Sequence, residues 1–302
     1  MSASASDVTR AMLGERLLSA YAALLGHFGS EPHWWPIITD APQFEIVVGT
    51  VLVQQTRWET VEAAIARLQA AGLLRPAALA AANTEALAAM IRPCAFHMQK
   101  APGLQAIARY LCTQYDEDVA ALLARPRAEL RAELLALPRI GRETADTIML
   151  YGGTHPLFIV DAYARRLLAR LGILTGVDAT RAPYDTIQAA VEAALSGPAL
   201  DARLVQAAFA PPILADAAPR CQFYRNFHAL IVEECIHHCL ATRMRHDQPG
   251  ARRTFVDARK CATHCRACTG CPLRGMCATY HADSRAALSV LAKPPRHRRT
   301  KI

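Results

Sequence analysis

The strongest constraint on this chain is a period. From about residue 10 to residue 288, apolar residues return every three or four positions, as in "TVEAAIARLQAAGL" and "RAELRAELLALP", with Pro and Gly marking the ends of the runs. The strict alternation that a half-buried strand needs is hard to find. The pattern predicts an almost all-α protein of ten or more helices, with loops near 29–42, 92–99, 152–156 and 210–220. At 302 residues the chain can bury a full core, as one large domain or two small ones. The last segment, "AKPPRHRRTKI", combines two prolines with a basic run and no apolar period, so residues 286–302 read as a disordered basic tail. No internal repeat is visible.

Hydrophobic residues make up 52% of the chain, yet no stretch reaches the roughly 18 uncharged apolar residues of a membrane span. Arg10, Glu15 and Arg16 interrupt the opening segment, which does not read as a secretory signal. A cytoplasmic protein without membrane contact is expected. The net charge of +8 suits a polyanionic partner without requiring one. Nearly all the positive charge is arginine, because Lys100, Lys260, Lys293 and Lys301 are the only lysines.

Five of the ten cysteines fall in "CATHCRACTGCPLRGMC", and four of them, Cys261, Cys268, Cys271 and Cys277, are separated by six, two and five residues. Short loops between soft thiolates can wrap a metal or a cluster, and a cytoplasmic setting disfavours structural disulfides. Zinc is the simplest occupant of such spacing. The spacing, with a proline after the third cysteine, resembles the cluster loop of the endonuclease III family, which implies a 4Fe-4S cluster. Cys265, or Cys239 at the end of "FHALIVEECIHHC", could replace Cys261 as the first ligand. Cys261 keeps the family spacing unadjusted, whereas residues 240–260 look like an insertion. Cys94, Cys112 and Cys221 read as small buried apolar residues.

In "LPRIGRETADTIMLY", a tight turn with Gly141 at its corner leads into a helix start. Such a corner can present successive backbone N–H groups to one anion, with the helix adding its positive end. Standing alone it reads more simply as a turn used only for packing. About twenty residues on, Asp161 in "FIVDAYARRLLARLG" breaks an apolar run where a helix begins, which is also where a helix N-cap belongs. Hairpin, aspartate and cysteine loop, in this order and spacing, resemble the helix-hairpin-helix (HhH-GPD) DNA glycosylases over residues 30–280.

The resemblance implies an all-α fold of two helical lobes with a DNA cleft between them. One lobe would be a helical barrel over 44–153 containing the hairpin at 134–151, and the other a discontinuous cluster-bearing domain of 1–43 and 154–285. It implies a monomer acting on double-stranded DNA that contains a damaged base, near the bacterial nucleoid. The hairpin residues Arg139, Ile140, Gly141, Arg142 and Thr144 would grip phosphates, and Gln54 of "TVLVQQTRWETV" would fill the gap left by the flipped nucleotide. Asp161 would be catalytic, since loss of the base builds positive charge on the deoxyribose that a nearby carboxylate stabilises. Arg139 stands where most family members have the first of two glycines. If that position requires positive φ, arginine costs about 1 kcal/mol or somewhat more.

Family members that also cut the strand carry a lysine at the position of Glu143, whose amine forms a Schiff base. A carboxylate cannot do so. Lys100 is the only lysine between residues 30 and 171, and its place in "FHMQKAPG" looks like a general family feature. Monofunctional base removal is therefore expected, with a bifunctional glycosylase/lyase as an alternative. A MutY-type adenine glycosylase needs a glutamate where this chain has Thr50, and usually an extra recognition domain. A non-catalytic lesion-binding protein is a further alternative. "PHWWPIITDAPQFEIVVG" offers Trp34, Trp35, Pro36 and Phe44, which read plainly as core or loop anchors. The stretch also resembles the "WWP" and following phenylalanine of 3-methyladenine glycosylases of the endonuclease III class. There aromatic faces line the base pocket and can select a cationic alkylated purine.

Overall fold

The computed structural model describes residues 5–30, 34–174, 176–197, 200–201, 218–239 and 270–282. Every regular element among them is helical. They are α1 (Ala5–Phe28), α2 (Pro42–Leu52), α3 (Trp58–Ala70), α4 (Pro76–Ala81), α5 (Thr84–Met90), α6 (His97–Tyr115), α7 (Val119–Leu123), α8 (Arg127–Leu135) and α9 (Arg142–Thr147). A π turn at Ile148–Gly152 follows, then α10 (Ala162–Leu171), α11 (Tyr184–Ala194), α12 (Pro219–His237) and a 3-10 turn at Arg274–Met276. The expected basic tail lies outside the described residues.

Local chemistry sets many of the boundaries. Prolines open α2 and α4 at positions whose N–H groups have no partner inside the helix. Asn83 caps α5 by accepting from the Ala86 amide at 2.9 Å, and Asp118 caps α7 by accepting from the Ala121 amide at 2.9 Å. Gly172, in the left-handed region at φ 61°, ends α10.

Two compact units arise. One comprises Ser30–Ile159 and Ser196–Phe227, and the other Met1–Gly29, Val160–Leu195 and His228–Ile302. In the hairpin unit, α2 is buried throughout Phe44–Leu52 and runs against α3, α6, α9 and the π turn. A helix apolar on all sides belongs at the centre of its unit. In the other unit α1 packs with α11, and Arg16 of α1 donates to the carbonyls of Leu171 and Gly172 at the end of α10. Buried Ala164, Leu167, Leu168 and Leu171 give α10 one apolar face, with Arg165, Arg166 and Arg170 on the other.

Candidate active site

The hairpin is formed by α8, the turn at 136–141 and α9. Arg131 of α8 clamps the fully buried Asp146 of α9, with Nε to Oδ1 at 2.8 Å and Nη2 to Oδ2 at 3.2 Å. Pro138, Arg139, Gly141, Arg142 and Glu143 are exposed at the tip, whereas Ile140 and Thr144 are buried. Of the expected phosphate-gripping residues, Ile140 and Thr144 are therefore not on the exposed tip.

The left-handed corner is Arg139, at φ 67°, and not Gly141, which is extended at φ −95° and ψ −178°. Positive φ costs an L-residue roughly 1–2 kcal/mol. Two neighbours support it. Gln54 Nε2 donates to the Arg139 carbonyl at 2.9 Å and to Thr144 Oγ1 at 3.0 Å, tying the α2 end to both sides of the turn. The Arg139 stem lies on Gly103 of α6, where any Cβ would come 2.6 Å from Arg139 Cγ. A Cβ on Gly141 would meet nothing within 4 Å. Glycine there leaves the start of α9 without a side-chain cap. Glu143 lies in the first turn of α9, a place where an acid complements the helix dipole.

Lys100 is 0% exposed. Its Nζ donates to Leu52 O at 2.8 Å, Gln54 O at 2.7 Å and Thr56 Oγ1 at 3.2 Å, so its three protons have three acceptors. Burial lowers its pKa to about 8, with Cys94 opposing the change and the Arg139 charge adding to it. The amine stays protonated at neutral pH and pins α6 to the turn after α2, where exposed Gln55 has a φ of 55°.

The aromatic residues divide into two groups. Trp35 and Phe44 belong to the core at 4% and 3% exposure, while Trp34 and Pro36 are half-buried. Trp35 meets Trp58 edge-on at 5.1 Å and Tyr151 at 5.2 Å, and Trp34 lies over Tyr151 at 6.1 Å with 32° between the rings. Sequence reasoning missed the residues that hold this group. Buried Glu45 accepts from the amides of Ile38 and Thr39 and fixes the loop after the tryptophans. Tyr151 belongs to the π turn, and its hydroxyl donates to Arg225 O at 3.2 Å. Arg225 donates in return to the carbonyls of Leu150, Tyr151 and Gly153. An acid inside the apolar run "QFEIVVG" was a readable signal for Glu45. Arg225 is too far along the chain to have given one.

In the other unit, Asp161 caps α10. Its Oδ1 accepts from the Ala164 amide at 2.7 Å, and its Oδ2 faces His228 Nε2 of α12 at 3.7 Å. Both residues are 8% exposed. The Val160 amide just before it donates to the Tyr184 hydroxyl at 3.3 Å. Burial, reinforced by the Asp161 charge, raises the pKa of Tyr163. The cap uses one carboxylate oxygen, so capping and chemistry can coexist in this residue.

Of the expected cluster ligands, Cys261 and Cys268 lie outside the described residues, as does Cys265. Cys271 donates to Glu234 Oε1 at 2.9 Å, and Cys277 to Arg170 O at 3.5 Å. Arg170 also reaches Cys239 Sγ at 3.3 Å. A hydrogen bond from Cys235, countered by burial and aided by Arg170, holds the Cys239 thiol below the usual range. Burial raises Cys271 and Cys277, and the charge of Cys239 adds to both shifts. Burial also pushes Glu234 up to about 8, and its Oε2 has no partner among the described residues. Among those residues no group of three or more His, Cys, Asp or Glu side chains is set to hold a metal ion. Cys239 and Cys277 both lie against Arg170, and Cys271 against Glu234. Away from them, Cys94 and Cys221 are buried and Cys112 is half-buried.

These features agree with comparisons against known proteins. The profile of the HhH-GPD superfamily of base excision DNA repair proteins matches residues 48–192. A Methanocaldococcus jannaschii protein named as a DNA repair glycosylase is 33% identical over 226 residues, spanning 74% of this chain and 89% of that one. Endonuclease III of Thermotoga maritima is 34% identical over 146 residues, 48% of this chain and 62% of that one. Among solved structures, the Helicobacter pylori 3-methyladenine DNA glycosylase MagIII bound to 1,N6-ethenoadenine has a TM-score of 0.59 at 26% identity, over 73% of this chain and 95% of that one. An endonuclease III–DNA complex has a TM-score of 0.62 at 18% identity, over 90% and 98%, a likeness of fold. The chain belongs to the HhH-GPD superfamily and is a DNA glycosylase of base excision repair.

Proposed function

We propose that this glycosylase acts on double-stranded DNA as a monomer, extrudes an alkylated base and releases it by hydrolysis, without cutting the strand. The observation that carries the monofunctional reading is a pair of side chains. Glu143 is exposed at the start of α9, where strand-cutting relatives carry lysine, and Lys100 is sealed in the core with all three protons engaged. Neither supplies an amine to form an imine. Borohydride trapping tests this reading: no covalent protein–DNA adduct is expected, and an adduct in good yield would move the protein to the bifunctional class.

In this reading the exposed backbone around Gly141 takes the phosphates beside the lesion, and Arg139 and Arg142 add charge. Filling the vacated stack makes Gln54 exchange its bonds to Arg139 O and Thr144 Oγ1 for bonds to the orphaned base. Asp161 stabilises the positive charge that builds on the sugar as the base departs and orients the attacking water. Trp34 and Pro36 offer accessible faces for the base, with Trp35, Phe44 and Tyr151 behind them. The likeness to a 3-methyladenine glycosylase supports an alkylated purine, whose cationic ring stacks well on electron-rich aromatics. Thr50 supports setting aside MutY-type chemistry, since it is buried and donates to Ile46 O, leaving no carboxyl group to protonate adenine. A DNA-repair role is compatible with the cytoplasmic, nucleoid-associated placement expected from the sequence.

A 4Fe-4S cluster on Cys268, Cys271, Cys277 and one further thiolate belongs to the same reading. When bound it would crosslink its loop to the helices, a structural contribution. Spacing favours Cys261 as the further ligand. The neighbourhood that Cys239 shares with Cys271 and Cys277 favours Cys239. Iron and sulfide analysis of Cys239→Ala and Cys261→Ala separates them, since loss of iron should follow the ligand alone.

A further inference from the structure

Asp161 is held at one oxygen by its own helix, and the structure shows what faces the other. The cap fixes Oδ1 on the Ala164 amide at 2.7 Å. That bond alone leaves the carboxylate free to pivot, because the terminal torsion of an aspartate is broad. On the Oδ2 side stands His228 Nε2, at 3.7 Å, contributed by α12 and as buried as Asp161 itself. The separation is long for a direct hydrogen bond, yet short enough for contact and for an ion pair when the imidazole is protonated. Tyr163 and Cys235 also feel the negative charge of Asp161.

We propose that His228 is a positioning residue: it confines the Oδ2 oxygen of Asp161 to one orientation, so that the carboxylate meets the sugar as charge develops there. The inference rests on the catalytic reading of Asp161 given above. His228 would act through Asp161 and never on the DNA. Its effect should therefore appear in the chemical step and be absent from lesion binding.

A double-mutant cycle in single-turnover base release from alkylated duplex DNA tests this directly. His228→Ala should slow release about 10- to 100-fold, the scale expected for a misplaced catalytic group, while binding of lesion DNA is unchanged. His228→Gln, which keeps a polar tip near Oδ2, should recover a large part of that loss. In the Asp161→Asn background, His228→Ala should add no further loss. Equal loss in both backgrounds, or none in the wild-type background, would overturn the proposal. If Asp161→Asn itself leaves release unchanged, the catalytic reading of Asp161 falls first and the role of His228 with it. Should His228→Ala fail to fold, the cycle is run with His228→Leu and His228→Phe, which keep bulk without a polar tip, and the same non-additivity is required.

Discussion

The two units hold their expected site residues in different ways. In the hairpin unit, buried charged side chains grip backbone: Lys100 takes the carbonyls of Leu52 and Gln54, Glu45 the amides of Ile38 and Thr39, and Arg225 three carbonyls around the π turn. In the other unit Asp161 has one amide on its own helix and one imidazole facing it. A surface that grips phosphates without reading sequence needs a stiff backbone, which many small bonds provide. A carboxylate that must answer developing charge needs one oxygen kept available. The first kind of site tolerates the loss of a single support in function but shows it in stability, and the second kind does the reverse.

Substitutions can break that contrast. The largest effect on turnover is expected at Asp161, where Asn still caps a helix well but carries no charge. Asp161→Asn should lower base release about 100- to 1,000-fold with lesion-DNA binding retained, as measured by single-turnover kinetics beside a binding titration. Comparable loss of binding would mean that the residue serves the interface. Lys100→Met should instead cost stability, roughly 2–3 kcal/mol in denaturant unfolding, because the carbonyls of Leu52 and Gln54 are left without their donor. If its main effect fell on turnover with stability intact, the division between scaffold and chemistry would fail.

Smaller effects sharpen the hairpin. Arg139→Gly relieves the left-handed backbone by about 1 kcal/mol but removes a positive charge from the tip. The slope of log Kd against log salt should fall by about 1 if that guanidinium contacts phosphate, and stay the same if Arg139 serves only the turn. Glu143→Gln should cost about 0.3–1 kcal/mol through the helix dipole and leave base release unchanged.

Much of this arrangement was legible in the sequence, and the limit has a physical form. The helical period, the hairpin and Asp161 are local patterns, written in contiguous residues, and the helices appear where that period runs. What the pattern could not show is which distant residue supports which motif. The positive φ of Arg139 is tolerated through Gln54 and Gly103, and Gly103 drew no notice as part of a proline-containing helix start. Lys100 stood out only because lysine is rare here, and its burial gives the reason for its presence. His228 lies 67 residues beyond Asp161 in the chain, so only folding brings them together. The aromatic stretch carried the opposite difficulty. Its residues read plainly as core or loop anchors and only the resemblance to 3-methyladenine glycosylases implied one base pocket; burial separates the core pair Trp35 and Phe44 from the half-buried pair Trp34 and Pro36.

The central claim is that this chain removes an alkylated base by hydrolysis and stops there. The most direct measurement is mass spectrometry of the products from methylated duplex DNA incubated with the wild-type protein in the presence of borohydride. The account predicts free alkylated purine, an intact strand bearing an abasic site, and protein at its unmodified mass. Release accompanied by a covalent protein–DNA adduct, or no released base at all, would contradict it.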